Sequence, residues 1–295
     1  MMDAQTFLAP AKLNLSLDVT GLLPDGYHEM KMILTSVTLC DEVSLKLGAS
    51  GIRLAGGPPY LPTDERNLAY RAAKLFFEAA GMPEAGVEIH LKKRIPVGAG
   101  MAGGSTDAAA VLRGLNELTD AGLPMDTLCA LGGQLGSDVP YCLYGETMLG
   151  LGRGDVLSPL PPMPDCHIVI CKPRFPVSTP MLFSRLDGHK IRCRPDLDAL
   201  IDALRCGDLQ RIAQRMYNIF EDVLPPQQRR EILQIKSRLL QLGALGAMMT
   251  GTGSAVFSLF ASEDAARNAW SSLSAEYRDC FLAAPMRQNP DSAAE

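Results

Sequence analysis

Several common sequence features are absent from this chain, and each absence excludes a class of protein. Its 28 Lys and Arg residues are outnumbered by 33 Asp and Glu, so the formal charge is −5 and the basic surplus typical of nucleic-acid-binding proteins is missing. No run of about eighteen consecutive apolar residues occurs, so no membrane span is predicted. The eight cysteines include no C-x-x-C pair and no histidine partner at zinc-finger spacing, which predicts reduced, mostly structural thiols.

What is present indicates a globular protein of two domains. Of the 295 residues, 47% are hydrophobic and 21% are charged, and this length exceeds the usual size of one core. The densest proline cluster, Pro159 to Pro164, predicts the boundary between a domain at 1–160 and another at 161–285. The polar residues 286–295 are predicted to form a flexible tail. No charged and then apolar leader follows Met1, which, with the cysteine usage, favours the cytoplasm.

Apolar periodicity predicts a mixture of strands and helices. Residues alternate between apolar and polar from Lys12 to Val19, which predicts a strand with one buried and one solvated face. Asn67 to Ala80 has the apolar spacing of a helix. Strands and helices in unequal groups indicate an α+β fold rather than regular βαβ winding. The same patterns predict further strands at 43–47, 87–91, 167–171 and 255–260, and further helices at about 196–206, 208–222 and 228–242.

The most informative segment is Pro96 to Ala109, in which four glycines and two hydroxyls precede an alanine-rich helix. Glycine allows backbone N–H groups to approach an anion, and a helix N-terminus adds unpaired donors and a partial positive charge. An apolar stripe from Ala108 to Leu118 would anchor the helix to a core. The segment therefore predicts a phosphate-binding loop, with a glycine-rich turn that merely caps a helix as the alternative.

Three familiar phosphate-binding loops do not fit this segment. Gly98 to Gly103 matches G-x-G-x-x-G, but residues 116–124 read as a helix end where a dinucleotide fold needs an acidic residue after a second strand. A Walker loop would have lysine where Gly104 stands. The H-R-D and D-F-G tripeptides of protein kinases do not occur in the chain.

Four motifs, in order along the chain, resemble those of the GHMP kinases, which are small-molecule kinases unrelated to protein kinases. They are Pro-Ala-Lys12-x-Asn14, the loop from Gly98 to Ala109, Gly136-Ser-Asp138-Val-Pro140 and Gly251-Thr-Gly253-Ser. The resemblance spans nearly the whole chain. It implies a two-domain α+β fold with the active site in the cleft between the domains, and ATP-dependent transfer of a phosphoryl group to a hydroxyl.

The resemblance also implies a role for the motif residues. Asp138 matches the catalytic base, and Lys12 matches the lysine that keeps this aspartate ionised and meets developing charge. From sequence alone, Asp138 fits equally well a turn in which it caps a helix or closes an Asx-turn, and Lys12 fits a solvated strand lysine. Magnesium is expected with ATP, and the sequence offers Ser105 as a candidate ligand without securing any. The implied ATP-binding residues are Pro96, Gly98, Gly100, Met101, Ala102, Gly103, Gly104, Ser105, Thr106 and, near adenine, Asn67, for which a helix N-cap is nearly as good an explanation.

The acceptor is indicated by Asp25-Gly-Tyr-His28, which resembles the cytidine loop of one group of GHMP kinases. In that group, the residues matching Tyr27 and Phe183 stack on the two faces of cytosine, and the one matching His28 recognises its edge. The implied reaction phosphorylates the 2-hydroxyl of a methylerythritol linked to cytidine diphosphate, in the non-mevalonate route to isoprenoids. The partner is thus a small molecule, neither nucleic acid nor membrane. The implied substrate-binding residues are Asn14, Tyr27, His28, Phe183, Gly251 and Thr252.

Two alternatives remain open at this point. Homoserine, mevalonate or sugar kinase activity would use the same phosphate-binding motifs, and a hairpin turn with incidental rings would explain Tyr27 and His28. A ligand-binding protein without catalysis would keep the fold, although the presence of both Lys12 and Asp138 argues against it.

Overall fold

The computed structural model describes residues 3–191 and 193–287; most of the predicted tail, from residue 288 onward, lies outside them. The strands are β1 (Gln5–Leu22), β2 (His28–Leu47), β3 (Ile52–Gly56), β4 (Val87–Lys92), β5 (Met148–Gly152), β6 (Val156–Pro159), β7 (His167–Lys172), β8 (Tyr217–Asn218), β9 (Gly246–Met249), β10 (Val256–Phe260) and β11 (Asp279–Ala283). The helices are α1 (Leu68–Ala79), α2 (Gly103–Leu118), α3 (Met125–Leu135), α4 (Val139–Tyr144), α5 (Thr179–Asp187), α6 (Leu197–Arg205), α7 (Leu209–Arg215), α8 (Phe220–Val223), α9 (Pro226–Gln241) and α10 (Glu263–Ser274). This mixture of helices and largely antiparallel strands confirms the predicted α+β class.

The chain divides into two compact units whose segments interleave along the sequence. The first unit comprises Met1–Ala11, Cys40–Ile95 and Ala102–Gly145, and the second comprises Lys12–Leu39, Pro96–Met101 and Glu146–Glu295. Both β1 and β2 therefore contribute residues to each unit, and the glycine-rich segment changes unit between Met101 and Ala102.

The first unit packs helices α1 to α4 beside the strands β3, β4 and the end of β2. Strand β4 pairs antiparallel with β2, from Glu42↔Lys92 to Leu47↔Val87, and parallel with β3. Alternate residues of β4 are buried, as the sequence pattern predicts for a strand with one solvated face. Helix α2 lies against α1, α3 and α4, so the helix that follows the glycine-rich segment is firmly mounted.

The second unit contains a four-stranded antiparallel sheet in the order β11-β7-β10-β9. Helix α10 lies against β7 and β11, and α9 lies against β9 and β10. Within the same unit β2 pairs with β5, β5 pairs with β6, and β1 pairs in parallel with β8. Met286 and Arg287, at the start of the predicted tail, are tied down, because the Met286 N–H donates to the Ser36 carbonyl at 2.8 Å and Arg287 pairs with Asp165.

Two local predictions are wrong. Strand β1 is not half-solvated from Lys12 to Val19, because its polar side chains are as buried as its leucines. The predicted helix at 208–222 is interrupted, since α7 ends at Arg215 and Tyr217–Asn218 forms β8. In both places contacts between residues distant in sequence override the local pattern.

No helix among residues 3–191 and 193–287 has the length and apolar content needed to cross a membrane.

Candidate functional site

The glycine-rich segment enters α2 through a run of left-handed backbone. Gly98 and Gly100 have φ of +65° and +75°, and Ala102, which precedes the helix, has φ of +56°. Only glycine adopts such angles without cost, so Ala102 is held in its conformation by its surroundings. Helix α2 has no acidic residue in its first turn, so its positive end stays uncompensated, as an anion site requires.

Among the predicted phosphate contacts at the start of α2, the residues differ in exposure. Gly104 is exposed and Ser105 is partly exposed, so their N–H groups are available to a ligand. Thr106 is fully buried, its N–H donates to the Ala102 carbonyl at 2.9 Å, and its hydroxyl has no hydrogen-bond partner within the part of the chain that the structure describes. Thr106 therefore belongs to the core beneath the loop.

In the second unit, the turn after β9 packs directly against the glycine-rich segment. The Ala255 N–H donates to the Ala99 carbonyl at 3.2 Å. A Cβ added to Gly100 would lie 2.2 Å from the Thr250 carbonyl oxygen, and one added to Gly251 would lie 2.6 Å from the Gly100 carbonyl oxygen. The two glycine-rich turns thus meet backbone to backbone, and side chains at these positions would separate them.

The side chain of Asn218 supports this turn from β8. Its Nδ2 donates to the carbonyls of Met249 and Gly251 at 2.7 and 2.8 Å. Thr252 makes a hydroxyl contact of 2.9 Å with Thr179 at the start of α5. Sequence reasoning missed Asn218, because no motif of its own surrounds it.

Lys12 and Asn14 lie side by side on β1 in the second unit, next to the two glycine-rich turns. The Lys12 Nζ donates to Asn14 Oδ1 at 2.8 Å, and the Lys12 N–H donates to the Met101 carbonyl at 3.2 Å. The Asn14 N–H donates to the Thr250 hydroxyl at 3.1 Å. Only 4% of Lys12 is exposed, so this ammonium is desolvated and fixed, unlike an ordinary strand lysine.

Asp138 lies in the first unit, immediately before α4 and half-buried. It occupies the N-cap position, but among the described residues its side chain makes no capping hydrogen bond to the helix. Helix capping, one of the two structural explanations that the sequence left open, therefore does not account for this carboxylate.

Asn67, by contrast, is a helix cap. Its Oδ1 accepts from the Ala69 N–H at 3.0 Å, and its Nδ2 donates to the Pro62 carbonyl at 2.9 Å. Both ends of the amide are engaged in shaping the start of α1.

The predicted cytidine loop lies in the second unit, between β1 and β2. The Asp25 carboxylate accepts from the Tyr27 N–H at 3.0 Å, which forms the turn. The Arg153 guanidinium lies 3.8 Å from the centroid of the Tyr27 ring and pairs with Asp25. The backbone N–H of Tyr27, followed by the Arg153 guanidinium, holds the pKa of Asp25 below its usual range. Tyr27 as a whole is 56% exposed.

The structure brings His28 and Phe183 together. Their ring centroids are 4.4 Å apart with planes inclined by 30°, and Phe183 also meets Phe220 edge-on at 5.0 Å. The Nε2 of His28 lies 2.7 Å from the Asp187 carboxylate. Sequence reasoning missed Asp187 and Arg153, since each acts through a partner far away along the chain.

A buried charged cluster in the first unit was also missed. The Lys93 ammonium pairs with the carboxylates of Asp41 and Asp107 and donates to the Gly103 carbonyl at 3.0 Å. The exposed fractions of these three side chains are 6%, 0% and 4%. Burial, reinforced by the charge of Asp41, raises the pKa of Asp107 to about 7 against the opposing attraction of Lys93.

Asp107→Asn is expected to change how stability depends on pH. The folded-state pKa of Asp107 lies above its ordinary value of 3.8, so the wild type loses stability as pH rises from about 4 through about 7. The variant lacks this loss. Its free energy of unfolding should therefore rise relative to that of the wild type by up to about 1.4 kcal/mol per pH unit in this window. Urea titrations of both proteins at pH 4 to 8 measure the difference, and a difference that stays constant with pH contradicts the assignment.

Residues 67–146 match the family model described as GHMP kinases N terminal domain, and residues 198–279 match the one described as GHMP kinases C terminal. A relative from Exiguobacterium sibiricum, named 4-diphosphocytidyl-2-C-methyl-D-erythritol kinase, is 42% identical over 282 residues, which cover 95% of this chain and 98% of the relative. A protein of the same name from Acetivibrio thermocellus is 43% identical over 281 residues, covering 95% of this chain and 99% of its own.

The chain also matches solved structures of small-molecule kinases. A crystal structure of 4-(cytidine 5'-diphospho)-2C-methyl-D-erythritol kinase matches with a TM-score of 0.83 and 36% identity, covering 96% of this chain and 100% of that chain. The homoserine kinase of Cytophaga hutchinsonii matches with a TM-score of 0.73 and 23% identity, covering 97% of this chain and 95% of that one. At that lower identity the likeness shows a shared fold alone.

Proposed function

The chain belongs to the GHMP kinase family, and we infer that it is the kinase that uses ATP to phosphorylate the 2-hydroxyl of 4-diphosphocytidyl-2-C-methyl-D-erythritol. The observation that carries this function is the 42% identity, over 95% of the chain, to a relative named for the same activity. The reaction is a step in the non-mevalonate route to isoprenoid precursors. The two-domain GHMP kinase fold implied by the sequence motifs is confirmed by the family models and the matching structure.

We propose that the triphosphate of ATP binds along the glycine-rich segment and the start of α2. The amides of Gly98, Gly100, Gly103 and Gly104 and the Ser105 hydroxyl supply the donors, while Pro96, Met101 and Ala102 shape the chain around them. This set is narrower than the one predicted from sequence. Thr106 is left out because its hydroxyl is buried and its amide is already bonded. Asn67 is left out because its side chain caps α1.

The proposed chemical step needs only a base and a fixed cation from the chain. Asp138 accepts the proton of the acceptor hydroxyl as the oxygen attacks the γ-phosphorus. The bond from that phosphorus to the bridging oxygen breaks, and ADP leaves with the electron pair. Lys12 is buried and fixed on Asn14, so its ammonium can meet the charge that develops on the transferred group without moving.

Magnesium is proposed to enter with ATP. In the described residues no group of three or more His, Cys, Asp or Glu side chains is arranged to hold a metal ion. The proposed ion is carried by the phosphates and keeps several of its waters, because Mg²⁺ in nucleotide sites needs few protein ligands. When bound, it would offset the charge of the β- and γ-phosphates.

We propose that Tyr27, His28 and Phe183 read the cytosine base, with Asp187 setting the chemistry of His28. A neutral His28 that donates its Nε2 proton to Asp187 keeps Nδ1 as an acceptor. An acceptor there can receive a hydrogen bond from the exocyclic amine of cytosine. Uracil has a carbonyl oxygen at the same position, which cannot donate one. We assign Gly251 and Thr252 a supporting role: their turn packs against the phosphate-binding segment on the side where the acceptor substrate would bind.

The proposed cytidine specificity predicts a large difference between two acceptors. The cytidine diphosphate methylerythritol acceptor should be turned over with a kcat/KM at least about 100-fold above that of its uridine analogue, because a mismatched edge leaves polar groups unpaired. ADP release reports both rates, with homoserine and mevalonate as further acceptors. Equal turnover of the two nucleotides would contradict the base-reading assignment, and preference for homoserine or mevalonate would contradict the function itself.

Two broader assignments are also proposed. The domain division at 1–160 and 161–285 is supported by the two family models, since their matched ranges lie on either side of residue 160. A cytoplasmic location is supported by the eight cysteines, all of which are free thiols.

A further inference from the structure

We propose that Lys93 is a positioning residue for ATP: its buried ammonium closes the two ends of the glycine-rich segment onto each other and so holds the phosphate-binding conformation. The proposal rests on the function proposed above. Lys93 lies before residues 96–102 of the segment, and Gly103 and Asp107 lie after them, in the first turns of α2. All three belong to the first unit.

The contacts of the cluster reach the backbone on both sides of the segment. On the leading side, Asp41 Oδ1 accepts from the N–H groups of Arg94 and Ile95, the latter at 2.8 Å. On the trailing side, the Lys93 Nζ donates to the Gly103 carbonyl at 3.0 Å. Lys93 and Asp41 are themselves paired, so these bonds form one continuous link between the two chain ends.

The cluster is costly to bury, which argues that it does more than fill space. Lys93 and its two carboxylates are almost completely desolvated, and one oxygen of Asp107 has no hydrogen-bond partner within the described part of the chain. Apolar side chains of the same volume would stabilise a core as well or better than such a group. A buried ammonium with directed bonds does what an apolar side chain cannot, since it fixes a backbone carbonyl at a defined place.

The segment between the clamped ends needs such a restraint. Its glycines have the largest freedom to lose on ordering, and Gly98 and Gly100 hold left-handed angles. Ala102 is also left-handed, which a residue with a Cβ adopts only where neighbours enforce it. Its peptide neighbour is Gly103, whose carbonyl Lys93 holds. Removal of the ammonium would therefore free the backbone next to Ala102, the residue whose left-handed conformation is strained.

Lys93→Met is expected to raise the KM and Kd for ATP by about tenfold while the KM for the cytidyl acceptor stays within about twofold of wild type. Because the single variant leaves two buried carboxylates without their cation, the double variant K93M/D107N is made as well. That variant keeps Asp41 bonded to Arg94 and Ile95 and removes the second charge. D107N alone retains the Lys93 contacts to Gly103 and Asp41 and serves as the matched control, with an ATP Kd close to wild type.

The measurements are steady-state kinetics with each substrate varied and calorimetric titration of full-length protein with Mg·ATP, after circular dichroism has verified the fold. A folded double variant whose ATP Kd lies within about twofold of wild type overturns the proposal, as does an equal rise in both KM values, which a merely structural role would give. Failure of the wild-type protein to bind ATP or to phosphorylate the cytidyl acceptor would instead overturn the proposed function.

Discussion

Asp138→Asn is expected to lower kcat by about a thousandfold or more while leaving the binding of ATP and the cytidyl acceptor within about threefold of wild type. The amide has the shape of the carboxylate but cannot accept the proton of the attacking hydroxyl, and general-base catalysis contributes factors of about 10² to 10⁴. Asp138 makes no capping bond to α4 in the described structure, so the substitution should not unravel the helix that follows.

Two controls make this result interpretable. Ser137→Ala, in the exposed residue just before Asp138, should retain nearly all activity, because it perturbs the same turn without touching the carboxylate. Calorimetric titrations of D138N with Mg·ATP and with the acceptor separate binding from chemistry. A D138N protein with near-normal kcat would show that the proton is taken elsewhere, and a protein that binds neither substrate would show that Asp138 has a structural role.

Gly100→Ala should strongly destabilise the protein and remove ATP binding. Its Cβ would lie 2.2 Å from the Thr250 carbonyl oxygen, a backbone atom that cannot rotate aside, and the position has φ of +75°. Overpacking and left-handed strain together should lower the free energy of unfolding by about 3 kcal/mol or more. Forcing apart the two glycine-rich turns should also abolish measurable ATP binding.

Gly98→Ala is the matched control for this substitution. Gly98 has a similar φ of +65°, but no described atom lies within 4 Å of the position that a Cβ would take. This variant should therefore lose only the strain, about 1 kcal/mol. Thermal or urea unfolding of both variants without nucleotide gives the comparison, and equal destabilisation would mean that the contact between Gly100 and Thr250 is unimportant.

The parts of the fold that sequence predicted well are those with a local cause. Helix α1 follows from a capping asparagine and an apolar stripe, and β4 follows from strict alternation. Most of β2 escaped prediction, because from Met32 to Asp41 nearly every residue is buried and no period of two is visible. The break at Met216 escaped for a similar reason, since Tyr217 and Asn218 are drawn into pairing with β1.

In the candidate site, too, features with a local cause were predicted and features that depend on long-range contacts were not. Its glycine-rich motifs were legible because turns and helix starts are local, and the resemblance to GHMP kinases supplied the roles of Lys12 and Asp138. Residues whose partners are distant in sequence carried no signal: Asp187 contacts His28, and Arg153 lies over the ring of Tyr27. Lys93 stood beside the motif in the sequence, yet only the fold shows that Asp41 and Asp107 flank it.

The backbone bond from Ala255 to Ala99 has a consequence for synthesis of the protein. The segment that we propose binds the nucleotide leaves the ribosome early, but the turn that packs against it is synthesised about 150 residues later. A nascent chain that still lacks residues 250–255 has no complete cradle, and ATP cannot stabilise it as a ligand. In the proposed binding mode, such a chain gains no stability from ATP until this turn has been synthesised and has packed against the segment.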